Sequence, residues 1–125
     1  MGAVEQLVYA IVFAAERQQA RFIRIADGHV QFLIAGTWHY EISPPRTLFD
    51  PIVRRFAVMI GVLAPGPEQT VAGGLAITVA ASPRVFCRVA IEHRGRLSVL
   101  VELVTESELA ERVRPELPST HPHRS

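Results

Sequence analysis

Residues 21–42 read RFIRIADGHVQFLIAGTWHYEI, three short apolar runs parted by two turn signals. Arg21 to Ile25, Val30 to Ile34 and Trp38 to Ile42 each have strand length, and in the third Trp38, Tyr40 and Ile42 alternate with His39 and Glu41. Asp27-Gly28 is a strong hairpin signal, because both central positions of a type I′ turn need positive φ. Gly36 marks the second turn, and Ser43-Pro44-Pro45 stops the run. A sheet built of antiparallel neighbours follows from these 22 residues alone.

The flanking sequence extends this pattern. Upstream, Val4, Leu7, Val8, Ile11, Val12 and Ala15 follow the i, i+3, i+4 spacing of a helix over residues 4–19. Tyr9, Ala10, Phe13 and Ala14 widen its apolar stripe, so this helix is expected to be deeply buried or partly covered by a partner. Downstream, Asp50 suits an N-cap and Pro51 a first helical position, which predicts a second helix from Pro51 to Ile60 with a looser turn before it. Ile52, Val53, Phe56, Met59 and Ile60 form its apolar face, and Gly61 is its expected stop. Residues 64–74 (APGPEQTVAGG) read as a loop. Three more strands follow, with alternation at Leu75, Ile77 and Val79, then Val85, Cys87, Val89 and Ile91, then Leu97, Val99, Val101 and Leu103. Ser82-Pro83 and Arg94-Gly95 supply the turns between them. Thr105 to Glu108 is a capping box opening a short helix, with Glu108 and Arg112 placed for an i, i+4 pair. The fold class is α+β: helix, three strands, helix, three strands, with helices packed on a mainly antiparallel sheet. The expected organisation is one domain over residues 1–114 and a disordered tail over 115–125.

Composition bounds the function. The chain has 125 residues, 49% of them hydrophobic, and a formal net charge of +1, so neither disorder nor a basic nucleic-acid stripe is indicated. All 13 basic residues are arginine. A GC-rich genome accounts most simply for the lack of lysine, which also rules out a P-loop lysine and a Schiff-base lysine in this chain. The single Cys87 allows no intramolecular disulfide and no cysteine-rich zinc site. The apolar run from Leu7 to Ala15 is too short to span a bilayer and has no basic residue before it. A cytoplasmic protein without membrane insertion is the expectation.

The candidate sites are few. His29, His39 and His93 fall at turns or on polar strand positions, and His121 and His123 lie in the tail, so no metal site and no cofactor is expected. Cys87 alternates with apolar neighbours as a core thiol does. Gly73-Gly74 precedes a strand, whereas phosphate-binding glycines open a helix. Trp38 and Tyr40 read as core aromatics. Three arginines remain as candidate partner contacts. Arg54 and Arg55 lie off the apolar stripe of the second helix, where they can meet an acidic partner or a phosphate or simply face solvent. Arg88 interrupts an apolar strand from its opposite face, as a contact residue or as an edge-strand charge that discourages aggregation.

Several of these stretches together resemble the amino-terminal, PAS-like domain that precedes the motor in bacterial type II secretion and type IV pilus assembly ATPases. They are the hydrophobic helix running into Ala20 to Ile25, the hairpin Val30 to Ile42, Pro44-Pro45 followed by Ile52 to Gly61, and Cys87-Arg88-Val89 with Gly95 and Val99 to Val101. The likeness covers roughly residues 4–103. Where the family hairpin reads Arg-x-Arg-x-Asp-Gly, this chain has Gln31, Leu33, Ala35 and Gly36, and where its helix motif reads Arg-x-Lys, Arg55 is kept and Ala57 replaces the lysine. The family's Pro-Gln-Asp-Gly-Arg loop corresponds to Ala72 to Leu75, and no P-loop is present in this sequence. The resemblance implies a degenerate, non-catalytic relative that docks to a motor subunit or self-associates, with Arg54, Arg55 and Arg88 among its contacts. A PAS-like sensor of a small apolar ligand is the alternative it implies.

Overall fold

The computed structural model describes residues 2–78 and 84–118. Three helices and six strands follow the expected order: α1 (Ala3–Arg17), β1 (Phe22–Ala26), β2 (His29–Ile34), β3 (Thr37–Ile42), α2 (Arg46–Met59), β4 (Gln69–Ile77), β5 (Val85–Arg94), β6 (Arg96–Val104) and α3 (Glu106–Glu111). The strands form one antiparallel sheet in the order β3-β2-β1-β6-β5-β4. The class is therefore α+β. Each half is a meander, and the β1–β6 ladder from Phe22↔Glu102 to Ile25↔Val99 joins the two.

The turns obey the local chemistry. Asp27 and Gly28 both have positive φ, as a type I′ hairpin requires. Ala35-Gly36 repeats that geometry, although alanine gives little sequence warning of it. Gly61 ends α2 with φ 78°, while Val62 N–H donates to Ala57 O and Gly61 N–H to Val58 O, the two bonds of a Schellman cap.

Two boundaries differ from the sequence expectation. The second helix begins at Arg46, which places Pro51 inside it rather than at its start. Proline lacks the N–H that would bond the carbonyl four residues back, but that carbonyl belongs to Thr47, an exposed first-turn residue that water can satisfy. The fourth strand begins at Gln69, so most of the expected loop is sheet. The Gly73-Gly74 pair hid it, because glycine leaves no alternation to read. A Cβ at Gly73 would lie 2.9 Å from Ile60 Cβ behind α2, and one at Gly74 would lie 3.0 Å from Leu109 Cδ1 of α3. Both glycines answer to close packing, one on each side of the strand. Val79 and Ser82-Pro83 lie outside the described residues.

One sheet face carries the main core. Val8, Ile11, Val12 and Ala15 of α1 and Ile52, Val53, Phe56 and Ala57 of α2 pack on Ile23, Phe32, Cys87, Val89, Ile91 and Val101. The first helix buries one side only; Ala10 and Gln6 on its far side are exposed. Burying each large side chain contributes roughly 1.5–3 kcal/mol, so this face dominates the stability. No helix of the described residues is long and apolar enough to cross a membrane.

Candidate functional site

The opposite face is built differently. Arg88 on β5 lies across from Glu102 on β6, which lies across from Phe22 on β1. Both charged residues are almost wholly buried, at 2% and 1% exposure. Arg88 Nη1 donates to Glu102 Oε1 at 3.1 Å, Nε donates to Arg112 O at 2.8 Å and Nη2 donates to Glu108 O. Arg21 Nη2 donates to the other carboxylate oxygen of Glu102 at 2.7 Å, and Arg112 Nη2 approaches Oε1 at 4.0 Å. One carboxylate is thus held among three arginines, and Arg88 ties the sheet to the backbone of α3 and the residue after it.

This network explains why α3 stays in place. None of its side chains is buried. It is held by Arg88, by Leu109 and Val113 against Gly74, and by its own cap. The expected capping box is present: Glu108 N–H donates to Thr105 Oγ1 at 3.1 Å, and Thr105 N–H donates to Glu108 Oε1 at 2.9 Å. The Thr105 amide, with smaller help from Arg21, holds the Glu108 carboxyl below its ordinary pKa. The expected Glu108–Arg112 pair does not form. Glu108 is committed to its cap, α3 ends at Glu111, and Arg112 turns to Glu102 and Glu116.

The three candidate arginines do not share a surface. Arg88 is no edge-strand charge, since β5 lies between β6 and β4. Its guanidinium is spent inside the protein, so it is not presented for a partner. Arg55 reaches across the helix pair to Glu5 at 3.1 Å and staples α1 to α2. Its buried Nε makes no hydrogen bond within the protein. Only Arg54 is exposed, and it lines a groove at the hairpin-turn end of the sheet.

That groove encloses about 680 Å³ between the β1–β2 turn, the β5–β6 turn and the start of α2. Arg46, Asp50 and Arg54 from α2 line one wall and Arg96 another, with Phe49 and Leu97 contributing the apolar part. Arg96 reaches Asp27 at 3.8 Å across the two turns. His29 and His93 also line it. His93 Nδ1 lies 3.1 Å from Pro65 O, and a carbonyl only accepts, so that nitrogen carries the proton. His29 Nδ1 shares a 2.9 Å hydrogen bond with Ser43 Oγ. Neither Arg46 nor Arg96 stands out in the sequence; the turn-to-turn geometry brings them to Arg54.

The remaining candidates are placed as follows. Cys87 is fully buried, and burial pushes its thiol up to about 12. Trp38 and Tyr40 are not core residues: both point away from α1 and α2. Trp38 lies under the Arg24 guanidinium at 4.0 Å, and Tyr40 is 71% exposed with its ring edge-on to His29. The Ala35-Gly36 turn sets this facing, through the register Leu33↔Trp38 and Gln31↔Tyr40, and only beyond Tyr40 does a bulge at Glu41 shift the ladder to Val30↔Ile42. Among the described residues no three His, Cys, Asp or Glu side chains gather as a metal site would need. His121 and His123 lie outside them.

No protein-family model matches the chain, and no curated protein matches it.

Proposed function

We propose that this protein is a non-catalytic interaction module of the cytoplasm, docking through the groove that Arg54 lines onto an acidic surface of a protein partner. The observation that carries the reading is the division of labour among the arginines. Arg88, Arg55 and Arg21 are bound to internal carboxylates, whereas Arg46 and Arg54 make no ion pair among the described residues and border an open groove. Exposed arginines beside an apolar strip are what an interface rich in arginine and aromatic contacts uses. Cys87 supports the non-catalytic part, since a thiol with its pKa near 12 supplies almost no thiolate at neutral pH.

The sequence resemblance names the partner class: a motor ATPase of a type II secretion or type IV pilus system, whose activity the module would modulate. Co-purification with such a motor, and a change in its ATPase rate, is the expected result, with Arg54→Glu abolishing both. Failure of the intact protein to bind or alter the motor overturns this partner assignment. The small-ligand sensor is less well supported. It needs room between the helices and the sheet, where Phe32, Ile52, Phe56 and Val89 are packed at no more than 1% exposure.

A further inference from the structure

Arg46, Asp50 and Arg54 stand four residues apart on α2 and all line the groove. At 1.5 Å of rise per residue they form one stripe, with the two arginine positions about 12 Å apart along the helix. All three are exposed. Among the described residues none of the three makes an ion pair, although the neighbouring Arg55 and Arg96 each do. The stripe therefore offers an unspent pattern of positive, negative and positive charge. Beside it runs the apolar strip of half-buried Phe49 with buried Leu97 and Pro44.

We infer that the groove takes a partner helix whose exposed side chains run acidic, basic, acidic at the same four-residue spacing. This rests on the docking reading above and specifies the partner's chemistry. Such a helix laid along α2 opposes every charge of the stripe with its opposite, and its apolar side chains cover Phe49. A uniformly acidic segment is a poorer fit, because its central carboxylate meets Asp50. A second copy of this chain is poorer still. In register it sets arginine against arginine and aspartate against aspartate, and offset by one turn it leaves one arginine of each copy unopposed. Exposed charges of this kind set specificity and association rate more than affinity, and salt screens them.

The test uses the 125-residue chain, isotope-labelled for NMR, and three alanine-based helical peptides. One carries Glu, Lys and Glu at positions i, i+4 and i+8. The second carries the same residues in the order Glu, Glu, Lys. The third carries Lys, Glu and Lys. The Glu–Lys–Glu peptide is expected to give saturable shifts at residues 46–54 and 95–97, weakened by salt. The permuted peptide binds about tenfold more weakly, since one like-charge contact is enough for that. The triple inversion R46E/D50R/R54E, made at exposed positions and checked for fold by circular dichroism, takes up the Lys–Glu–Lys peptide instead. Equal binding of the Glu–Lys–Glu and Glu–Glu–Lys peptides, shifts centred elsewhere, no saturable binding, or dimerisation of the protein that the inversion abolishes each overturn the inference. Should a motor partner be lost with Arg54→Glu while peptide order makes no difference, docking stands and the charge pattern falls.

Discussion

The two faces of the sheet solve the same burial problem by different means. Under α1 and α2, apolar side chains interlock, and the attraction needs no particular direction. Under α3, Arg88 and Glu102 are nearly as deeply buried as the core valines, and they are tolerable only because every nitrogen of the guanidinium and both carboxylate oxygens have a hydrogen-bond partner. The contrast teaches that the first face answers to shape and volume, and the second to the pairing of its polar groups. It also explains the difference in cover. Two helices of 15 and 14 residues cover the apolar face, whereas the six residues of α3 cover the other face only around Arg88 and Glu102, and Arg24, Gln31, Leu33 and Leu100 on that face stay partly exposed.

The sharpest way to break this contrast is Glu102→Ala. It leaves the buried guanidinium of Arg88 uncompensated, and about 3–5 kcal/mol of stability should be lost in urea denaturation. A loss no larger than that of Ile23→Val on the apolar face, about 0.5–1.5 kcal/mol, would refute the distinction. Pairing Arg88→Met with Glu102→Leu should restore most of the global stability. The amides of α3 should nonetheless exchange faster in that double variant, because the Glu108 and Arg112 carbonyls lose their donor.

The adjacent glycines give the next largest effect. Gly73→Ala presses on Ile60 Cβ and comes 3.4 Å from Ile60 O, atoms close to the α2 backbone, and about 1–3 kcal/mol should be lost. Gly74→Ala meets the end of Leu109, which can turn aside. Its cost should be smaller and partly offset by the roughly 0.5–1 kcal/mol that alanine gains over glycine inside a strand. Equal melting temperatures for the two variants would show that both faces are packed alike.

Removing the cap of α3 with Thr105→Ala should cost about 1 kcal/mol locally. Hydrogen exchange should register it in α3 and not in α2. Acid tests the same cap. The Glu108 pKa is lower in the folded protein than in the unfolded chain, so its contribution is present above the unfolded value and is lost as pH falls through the folded one. NMR shifts of α3 should therefore change in acid before those of the helix-covered core. The smallest intervention is a thiol label at Cys87. No reaction is expected at neutral pH in the native state, and any labelling rate should track global unfolding.

Much of the architecture was legible because its signals are local. Asp27-Gly28, Gly61 and the Thr105–Glu108 box fix backbone angles or satisfy nearby amides, and each acts where the sequence places it. The extra first turn of α2 was not legible, because Pro51 advertises a helix start and only the exposed Thr47 carbonyl makes it tolerable inside. The glycine-bearing half of β4 was hidden for a similar reason: its residues were chosen by what touches them from α2 and α3.

The arginines divide along the same line. Their positions in the sequence show that Arg88 faces away from an apolar strand and that Arg54 and Arg55 leave the buried stripe of their helix. Nothing local says that Glu102 will stand opposite Arg88, Glu5 beside Arg55, or Arg46 and Arg96 around the groove with Arg54. Those meetings follow from strand order and helix packing, which bring together residues up to 81 positions apart, as in Arg21–Glu102. Periodicity and backbone preference act over a few residues, so the order of the elements, the Asp27-Gly28 turn, the Gly61 and Thr105 caps and the α+β class could all be read along the chain, while the first half of β4 could not. Only the tertiary structure decided which charges are spent inside and which remain at the surface, because that depends on partners the chain meets after it has folded.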